Sequence, residues 1–240
     1  MNLLQLRAKF LDISGRVDLV NDDGTDNGAD FYINEGRKYL DRLDEHQKSW
    51  ASQFRFIEIG RYSASVKHCR AIKEVWIATT SERWQLEKKN IQDIISEYMT
   101  TSLSERDTGT PLYYSPTITR YNPNDIIAAD FESFIGWIDI PSGGANEFNT
   151  ILLNVPISER MVVEVKGLFY SPSLDLDTDE NYWSSMHPLL LIMSAMRYIE
   201  ITNRNTQGVN DWTNSIMEET RQIGMDLVEE LIAGVNQMEG

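Results

Sequence analysis

The period of the apolar residues changes twice along this chain, and no other feature limits the fold as strongly. Between Leu3 and Ile13 apolar residues recur every three or four positions, which is helical spacing. From Phe54 they alternate with polar residues, as in strands. Helical spacing returns after Pro188 and continues to Leu231. The sequence therefore predicts an α+β fold, with a bundle of N- and C-terminal helices and an inserted antiparallel β-sandwich-like region.

Turn and capping residues divide this predicted fold into five segments. They are a helical part of the bundle at 1–53, a β-hairpin segment at 54–80, a helix at 81–107, an antiparallel β region at 108–172, and an acidic loop with the C-terminal helices at 173–240. The candidate strands of the β region are Leu112–Thr119, Phe134–Ile140, Thr150–Val155 and Met161–Phe169.

The stretch from Phe169 to Trp212 predicts how the C-terminal helices begin. Pro188 suits the first turn of an apolar helix, and Trp212 is predicted to open the long acidic helix that follows Gly208. The candidate N-caps elsewhere are Asp26 or Asn27 for the second helix, Thr80 or Ser81 for the third, and Ser184 or Ser185 for the helix at Pro188.

Composition limits the environment of the protein. With 240 residues, 41% of them hydrophobic, the chain is long and apolar enough to fold around a core. The one cysteine, Cys69, excludes an internal disulfide and favours a buried neutral thiol in a reducing compartment. The longest apolar run, Leu189 to Met193, is too short to span a membrane, and the first residues lack the features of a secretory signal. We therefore expect a protein that is made in the cytosol.

The loop from Leu19 to Asp30 has the acidity of a calcium-binding EF-hand but not its ligand pattern. If Gly24 is the sixth-position glycine, Leu19 stands at position one and Asp30 at position twelve. Those positions require an oxygen ligand and a bidentate Glu. A turn and capping loop is therefore the favoured interpretation.

No motif in the sequence predicts catalysis. The three histidines, His46, His68 and His187, lack the i, i+4 spacing of a zinc site, and there is no Gly-x-Ser-x-Gly nucleophile motif. Gly143-Gly144 lacks the Lys-Ser/Thr of a phosphate-binding loop. With 37 acidic residues, no single pair of carboxylates stands out as a glycosidase pair. We therefore predict no catalytic residue, no cofactor and no metal.

The net charge of −15 argues against DNA binding by counterion release, which needs a basic face. The charge is also unevenly distributed. The candidate acidic contact residues are Asp175, Asp177, Asp179, Glu180, Glu218, Glu219, Asp226, Glu229 and Glu230, with Trp212 beside them, and the candidate basic contacts are Arg55, Arg61, Lys67, Arg70 and Lys73. Solubility is the simpler explanation of such acids. The separation of acidic from basic residues also suits head-to-tail contacts, in which the acidic patch of one subunit meets the basic patch of the next and the subunits form a closed ring.

Three blocks of the sequence, in this order, resemble the head–tail adaptor (connector, or head completion) proteins of tailed bacteriophages. The first is LLQLRAKFLDISGR…DNGADFYINEGRKYLDRL at residues 3–43, and the second is TGTPLYYSP at 108–116. The third is VEVKGLFYSPSLDLDTDENYWSSMHPLLLIMSAMRYIEITNRNTQGVNDW at 163–212. Together they cover under half of the chain.

The resemblance implies a structural virion protein. Such adaptors form a ring, commonly of twelve subunits, between the portal and the tail or nozzle, and double-stranded DNA passes through the lumen without sequence-specific binding. It implies that the C-terminal helix contacts the portal, and it carries over no catalytic residue. Because basic walls would retain phosphates, acids from Asp175–Glu180 or Asp211–Glu230 are predicted to face the lumen.

Two other functions stay open at this point. One is a cell-wall glycosidase that acts as a phage enters its host. The other is an acidic protein that binds a basic host factor. Loss of peptidoglycan hydrolysis after a single Glu or Asp substitution would favour the first, and a stable monomer without affinity for portal rings would favour the second.

Overall fold

The computed structural model describes residues 1–43, 50–98, 107–117 and 148–233; of Phe148 and residues 225–233 it describes the backbone only. The chain divides into two compact units. The helical unit comprises Met1–Ser49 and Tyr170–Gly240, and the β unit comprises Trp50–Phe169. Two sequence-distant segments thus build one unit, with the β unit between them in the chain.

The described residues form six α-helices and two four-stranded sheets, which confirms the predicted α+β class. The helices are α1 (Leu3–Ser14), α2 (Ala29–Leu43), α3 (Ile91–Tyr98), α4 (Tyr182–Met186), α5 (Pro188–Thr202) and α6 (Thr206–Ala233). The strands are β1 (Trp50–Ile57), β2 (Ser63–Lys67), β3 (Cys69–Ala78), β4 (Arg83–Gln85), β5 (Glu87–Lys88), β6 (Tyr113–Thr117), β7 (Phe148–Leu153) and β8 (Met161–Phe169).

Helix α5 is the centre of the helical unit. It is apolar around most of its circumference, as expected of a helix covered on several sides, and eight of its fifteen residues are buried. It packs against α1, α2, α4 and α6. The closest approach is at Gly36 of α2, where an added Cβ would lie 2.8 Å from the backbone nitrogen of Ala195. Only glycine at this position lets the two helices pack at that distance.

Local capping explains where the helices of this unit begin. Asn2 and Gln5 form a capping box at α1. The Asp26 carboxylate accepts hydrogen bonds from the backbone nitrogens of Gly28 and Asp30, at 3.0 and 2.9 Å, which confirms the predicted cap of α2.

The C-terminal helices begin differently from the prediction. Pro188 opens α5 as predicted, but Ser184 and Ser185 do not cap it, because they lie in the short helix α4 that Asn181 caps. Helix α6 starts at Thr206, six residues before Trp212, because the turn after α5 is tighter than the glycine position suggested.

Asp41 is the centre of a polar network in the interior of the helical unit. This carboxylate accepts hydrogen bonds from Nε1 of Trp183 at 2.7 Å, from the Ser171 backbone nitrogen at 2.9 Å and from Ser171 Oγ at 2.7 Å. Arg37, also buried, donates to the Ser171 carbonyl. Burial lowers the pKa of Arg37, because it penalises the charged guanidinium. The network ties α2 to the segment that leads into α4.

The β unit is built from two sheets with strand orders β1-β8-β3-β4 and β2-β7-β6-β5. Side chains of both sheets share one hydrophobic core, which supports the predicted sandwich-like packing. Strand β8 runs over Met161–Phe169 as predicted, with Met161, Val163 and Val165 in the core. The predicted strands near 112 and 150 are present as β6 and β7, and the one predicted at Phe134–Ile140 lies outside the described residues.

The predicted hairpin at 54–80 is wrong. Strands β1 and β3 both pair with β8, and β2 pairs with β7 in the other sheet. His68, at a φ of 58°, turns the chain from one sheet into the next. Alternation identified these residues as strands, but it carries no information about their pairing partners.

The predicted helix at 81–107 is also wrong over its first ten residues, because α3 begins only at Ile91. Residues 83–88 instead form β4 and β5, which pair with β3 and β6. Thr80 and Ser81 do not cap a helix, since Thr79 Oγ1 accepts from the backbone nitrogens of Ser81 and Glu82 in a turn. Pairing with β3 and β6 therefore determines the structure of residues 83–88, although their apolar residues have helical spacing.

Cys69 is buried at 6% exposure, and burial raises the pKa of its thiol, as expected for a neutral core cysteine. In the part of the chain that the structure describes, no helix combines the length and apolarity needed to cross a bilayer.

Candidate interaction surfaces

The loop Asp175–Glu180, called here the acidic loop, has a fixed conformation that its own side chains maintain. The Asp179 carboxylate accepts from the backbone nitrogens of Asp175 and Leu176, at 2.9 and 2.8 Å. Asp175 accepts from Ser173 Oγ, and Glu180 accepts from Ser185 Oγ. The loop therefore presents a defined acidic surface, although few apolar contacts hold it.

Arg7 anchors the acidic loop to the helices. Its Nε and Nη2 bind both oxygens of Asp30 at 2.6 and 2.7 Å, and Nη1 binds Asp177 at 2.6 Å. Arg7 is 5% exposed, whereas the Asp177 side chain is 56% exposed. The paired carboxylates raise the pKa of Arg7, chiefly through the hydrogen bond to Asp30. One buried cation thus joins α1, α2 and the loop, and Asp177 still reaches solvent.

Asp179 gives the acidic loop a defined pH dependence. Its two backbone hydrogen bonds lower the pKa of the Asp179 carboxyl, first through Leu176 and then through Asp175. Because the folded pKa is lowered, the contribution to loop order is complete above the unfolded value of about 3.9 and is lost as the pH falls through the folded pKa.

We expect Asp179→Ala to speed amide exchange at Asp175 and Leu176 at neutral pH, measured by NMR hydrogen exchange. Asp22→Ala, in the loop between α1 and α2, is the matched control and should leave both amides unchanged. Unchanged exchange in Asp179→Ala would show that the carboxylate does not hold the loop.

Helix α6 carries the second group of predicted acidic contacts. Glu218 and Glu219 are exposed, and Glu218 pairs with Arg221 at 3.1 Å on the surface. Asp226, Glu229 and Glu230 lie on the same helix, in the part described by its backbone only. Trp212 packs partly buried against the helical core, so its ring supports the helix packing that orients these acids.

The predicted basic contacts do not form one cluster. Lys67 and Arg70 flank the turn from β2 to β3, at the end of the sheet where β1 starts, and Lys73 lies 5.9 Å from the Trp50 ring. Arg61 follows the other end of β1, and Arg55 reaches across to the Ser65 carbonyl of the second sheet at 2.8 Å. Lys67, Arg70 and Lys73 therefore lie towards one end of the β unit, and Arg61 lies towards the other.

The outer face of sheet β1-β8-β3-β4 carries a surface that the sequence analysis missed. Four aromatic residues share this face: Trp50, Phe54, Phe56 and Trp76. Phe54 and Trp76 both pair with Glu164 of β8, and Trp50 and Phe56 lie an even number of residues from Phe54 on the same strand, so their side chains are on the same side of the sheet. We call it the aromatic face. Phe54 and Phe56 are 64% and 59% exposed. The alternation that begins at Phe54 contained the signal, but it does not reveal which face of a strand meets the core.

Cations stack on the rings of the aromatic face. The guanidinium carbon of Arg83 lies 4.6 Å from the Trp76 ring centre, and that of Arg160 lies 4.2 Å from the Phe56 ring centre. Lys166 lies 5.4 Å from the Trp76 ring. A hollow of about 360 Å³ opens beside Phe54 and Trp76, and Ala78, Val162, Arg83 and Glu164 also line it. Glu164 lies between the two rings and pairs with Arg83, so the hollow has a mixed apolar and charged lining.

The loop between α1 and α2 has a structural role in this conformation. Asp23 accepts from the backbone nitrogen and hydroxyl of Thr25, Asp26 caps α2, and Asp30 binds Arg7. Its carboxylates therefore serve the turn, the cap and the ion pair, as the turn interpretation predicts. Across residues 1–43, 50–98, 107–117 and 148–233, no group of three or more His, Cys, Asp or Glu side chains is arranged to hold a metal ion.

Comparison with known proteins assigns the chain to no family. No protein-family model matches it, and no curated protein matches it significantly. Its function must therefore be argued from the surfaces described above and from the resemblance of its sequence blocks.

Proposed function

We propose that this protein is a head–tail adaptor of a tailed bacteriophage, a structural virion subunit that forms a ring between the portal and the tail. The observation that carries the proposal is the division of charge between its two units. The helical unit contains 22 acidic and 10 basic residues, a formal charge of −12, and the β unit contains 15 and 12, a charge of −3. Most of the negative charge thus belongs to the unit built from the two ends of the chain.

This division suits a ring through which DNA passes. An acidic or neutral wall does not retain phosphates, whereas a basic wall would bind them and slow transit. Glu218 and Glu219 on α6 are exposed acids of the kind such a wall needs. The architecture supports the same proposal, because the resemblance implies a helical bundle with a β-sandwich-like part.

In this proposal the long helix α6 is the portal contact, the subunits contact one another head to tail, and the tail or nozzle binds on the opposite side. Twelve copies are expected, by resemblance to other adaptors. The protein is located at the head–tail junction of the virion after synthesis in the host cytoplasm. It acts by assembly, without a cofactor and without catalysis.

The test is assembly on purified portal rings. We expect the protein to co-sediment with portal rings and to form a twelve-fold ring in negative-stain images. The variant Glu218→Lys/Glu219→Lys should retain double-stranded DNA in the assembled ring at physiological salt, whereas Glu87→Lys/Lys88→Glu, on the exposed strand β5 and without net charge change, should not.

Two results would overturn the proposal. One is a stable monomer that never binds portal rings. The other is peptidoglycan hydrolysis that a single Glu or Asp substitution abolishes, which would make the protein an enzyme.

A further inference from the structure

Helix α1, like every α-helix, begins with four backbone N–H groups that have no acceptor within the helix. Two of them are satisfied locally by the capping box. The Asn2 nitrogen donates to Gln5 Oε1 at 3.2 Å, and the Gln5 nitrogen donates to Asn2 Oδ1 at 3.0 Å. The other two, on Leu3 and Leu4, need acceptors from outside the helix.

The acidic loop supplies both of these acceptors. The Leu3 nitrogen donates to the Asp179 carbonyl at 3.1 Å, and the Leu4 nitrogen donates to the Asp177 carbonyl at 3.2 Å. The residues that provide the carbonyls are acidic, which suits the N-terminal end of a helix because that end carries a partial positive charge. A loop from the C-terminal segment of the chain thus completes the cap of an N-terminal helix.

The loop is fastened to the helices at two further points. Arg7 of α1 binds the Asp177 carboxylate at 2.6 Å, so the backbone and the side chain of Asp177 both hold α1. Leu174, which immediately precedes the loop, is buried and forms two hydrogen bonds with the Asn34 side chain of α2, at 2.9 and 3.0 Å. Order in the loop and order in the first turns of α1 therefore depend on each other.

Helix α1 is held by fewer buried side chains than α5. Four of its twelve residues are buried, and one of the four is the charged Arg7, whereas α5 buries eight of fifteen. The other three, Leu3, Leu6 and Phe10, are fully covered. Local opening starts where few apolar side chains and solvent-exposed hydrogen bonds hold a segment, so α1 is expected to open before the core of the bundle.

We propose that α1 and the acidic loop form a strap, which opens and closes as one cooperative unit against α2 and α5. The loop holds the strap closed by capping α1. Opening exposes Leu3, Leu6 and Phe10 together, so each subunit contains a concealed apolar surface. The inference rests on contacts within one subunit and goes beyond the proposed function. It gives the acids of the acidic loop a role inside the subunit.

Amide hydrogen exchange measured by NMR tests the coupling from the loop to the helix. Asp179→Ala removes the acceptor that orders the loop. We expect exchange to become about fivefold faster at Leu3 and Leu4 and also further along α1 at residues 7–10, as after the loss of a helix cap. Asp12→Ala, which removes an exposed carboxylate from the surface of α1, is the matched control and should leave these amides unchanged.

The coupling must also run from the helix to the loop, because linkage is reciprocal. Asn2→Ala removes the local cap of α1 and leaves the loop sequence intact, so exchange should become faster at Asp175 and Leu176. The amides of Gly36 in α2 and Ala195 in α5 should keep wild-type protection in both variants, since the strap opens without these helices.

Three results would overturn the proposal. If Asp179→Ala leaves exchange in α1 unchanged, or if Asn2→Ala leaves exchange in the loop unchanged, the two segments are independent of each other. If α2 and α5 lose protection in parallel with α1, the helical unit opens as a whole and no separate strap exists. Assembly on portal rings tests the proposed function alone, so its outcome and that of the exchange experiment are distinguishable.

Discussion

Replacing Asp41 with alanine is expected to lower the free energy of unfolding of the helical unit by about 3 to 5 kcal/mol. Asp41 is 3% exposed and accepts three hydrogen bonds, from Trp183 Nε1 and from the backbone nitrogen and hydroxyl of Ser171. Alanine leaves all three donors without this acceptor, and the Trp183 Nε1 donor is buried. It also removes the carboxylate next to the buried Arg37.

Hydrogen exchange followed by mass spectrometry measures this effect unit by unit. Peptides from α2 and α5 should lose protection, while peptides from β3 and β8 serve as the internal reference. The matched control is Asp12→Ala, an exposed carboxylate on α1 that pairs with Lys9 at 3.4 Å, and it should change stability by less than about 0.5 kcal/mol. Equal protection in Asp41→Ala and wild type would show that the network contributes no stability.

Replacing Arg7 with methionine should cost about 3 kcal/mol, because it leaves Asp30 partly buried without its cation. Arg7 binds both Asp30 oxygens and also Asp177, so the substitution removes three charge-assisted hydrogen bonds at once. Methionine keeps most of the apolar volume of the stem, so the loss reports on the ion pairs rather than on a cavity. Urea unfolding monitored by circular dichroism gives the value.

The chain supplies a close control for this prediction. Arg16 binds both oxygens of Asp18 at 2.8 Å, in the same two-bond geometry but on the surface, and Arg16→Met should cost less than about 1 kcal/mol. Adding Asp30→Asn to Arg7→Met should restore part of the loss, since it removes the stranded charge. If Arg7→Met and Arg16→Met cost the same, burial of the Arg7 pair has no energetic consequence.

The helical unit was largely predictable from sequence because its signals are local. The spacing from Leu3 to Ile13, the cap at Asp26 and the proline at 188 each act within one or two turns of a helix. The partner that buries these helices is not local, but a helix as apolar as α5 has to lie at the centre of any bundle it joins. The α+β class and the joining of both chain ends follow from these features.

The β unit was harder to predict because strand pairing depends on distant residues. Trp84 and Ile91 have helical spacing, yet residues 83–88 become strands once β3 and β6 are available to pair with them. The same limit applies to the aromatic face. The alternation at Phe54 and Phe56 fits a core-facing row equally well, and only the pairing with β8 shows that this row faces outwards.

Counting charges along the sequence shows which residues are close together only over short stretches of chain. The acids of the acidic loop were identified correctly as neighbours, since six consecutive residues cannot separate. The basic residues from Arg55 to Lys73 are harder to place from sequence, because a strand of eight residues is about 25 Å long and the chain reverses twice between them. Arg7, which organises the loop, gave no signal because its partners are 23 and 170 residues away.

The two-segment construction of the helical unit has a consequence for biosynthesis. Strand β8, the last of the β unit, ends at Phe169, so the ribosome completes that unit while α5 and α6 are still untranslated. Until α5 is synthesised, it cannot cover the apolar sides of α1 and α2. Ala195, against which Gly36 packs, is about 160 residues downstream. Trp50 pairs with Leu168, so the folded β unit holds its two ends close together, which lowers the entropy cost of bringing segments 1–49 and 170–240 together. We therefore expect the inserted β unit, once folded, to favour association of the two segments that build the helical unit.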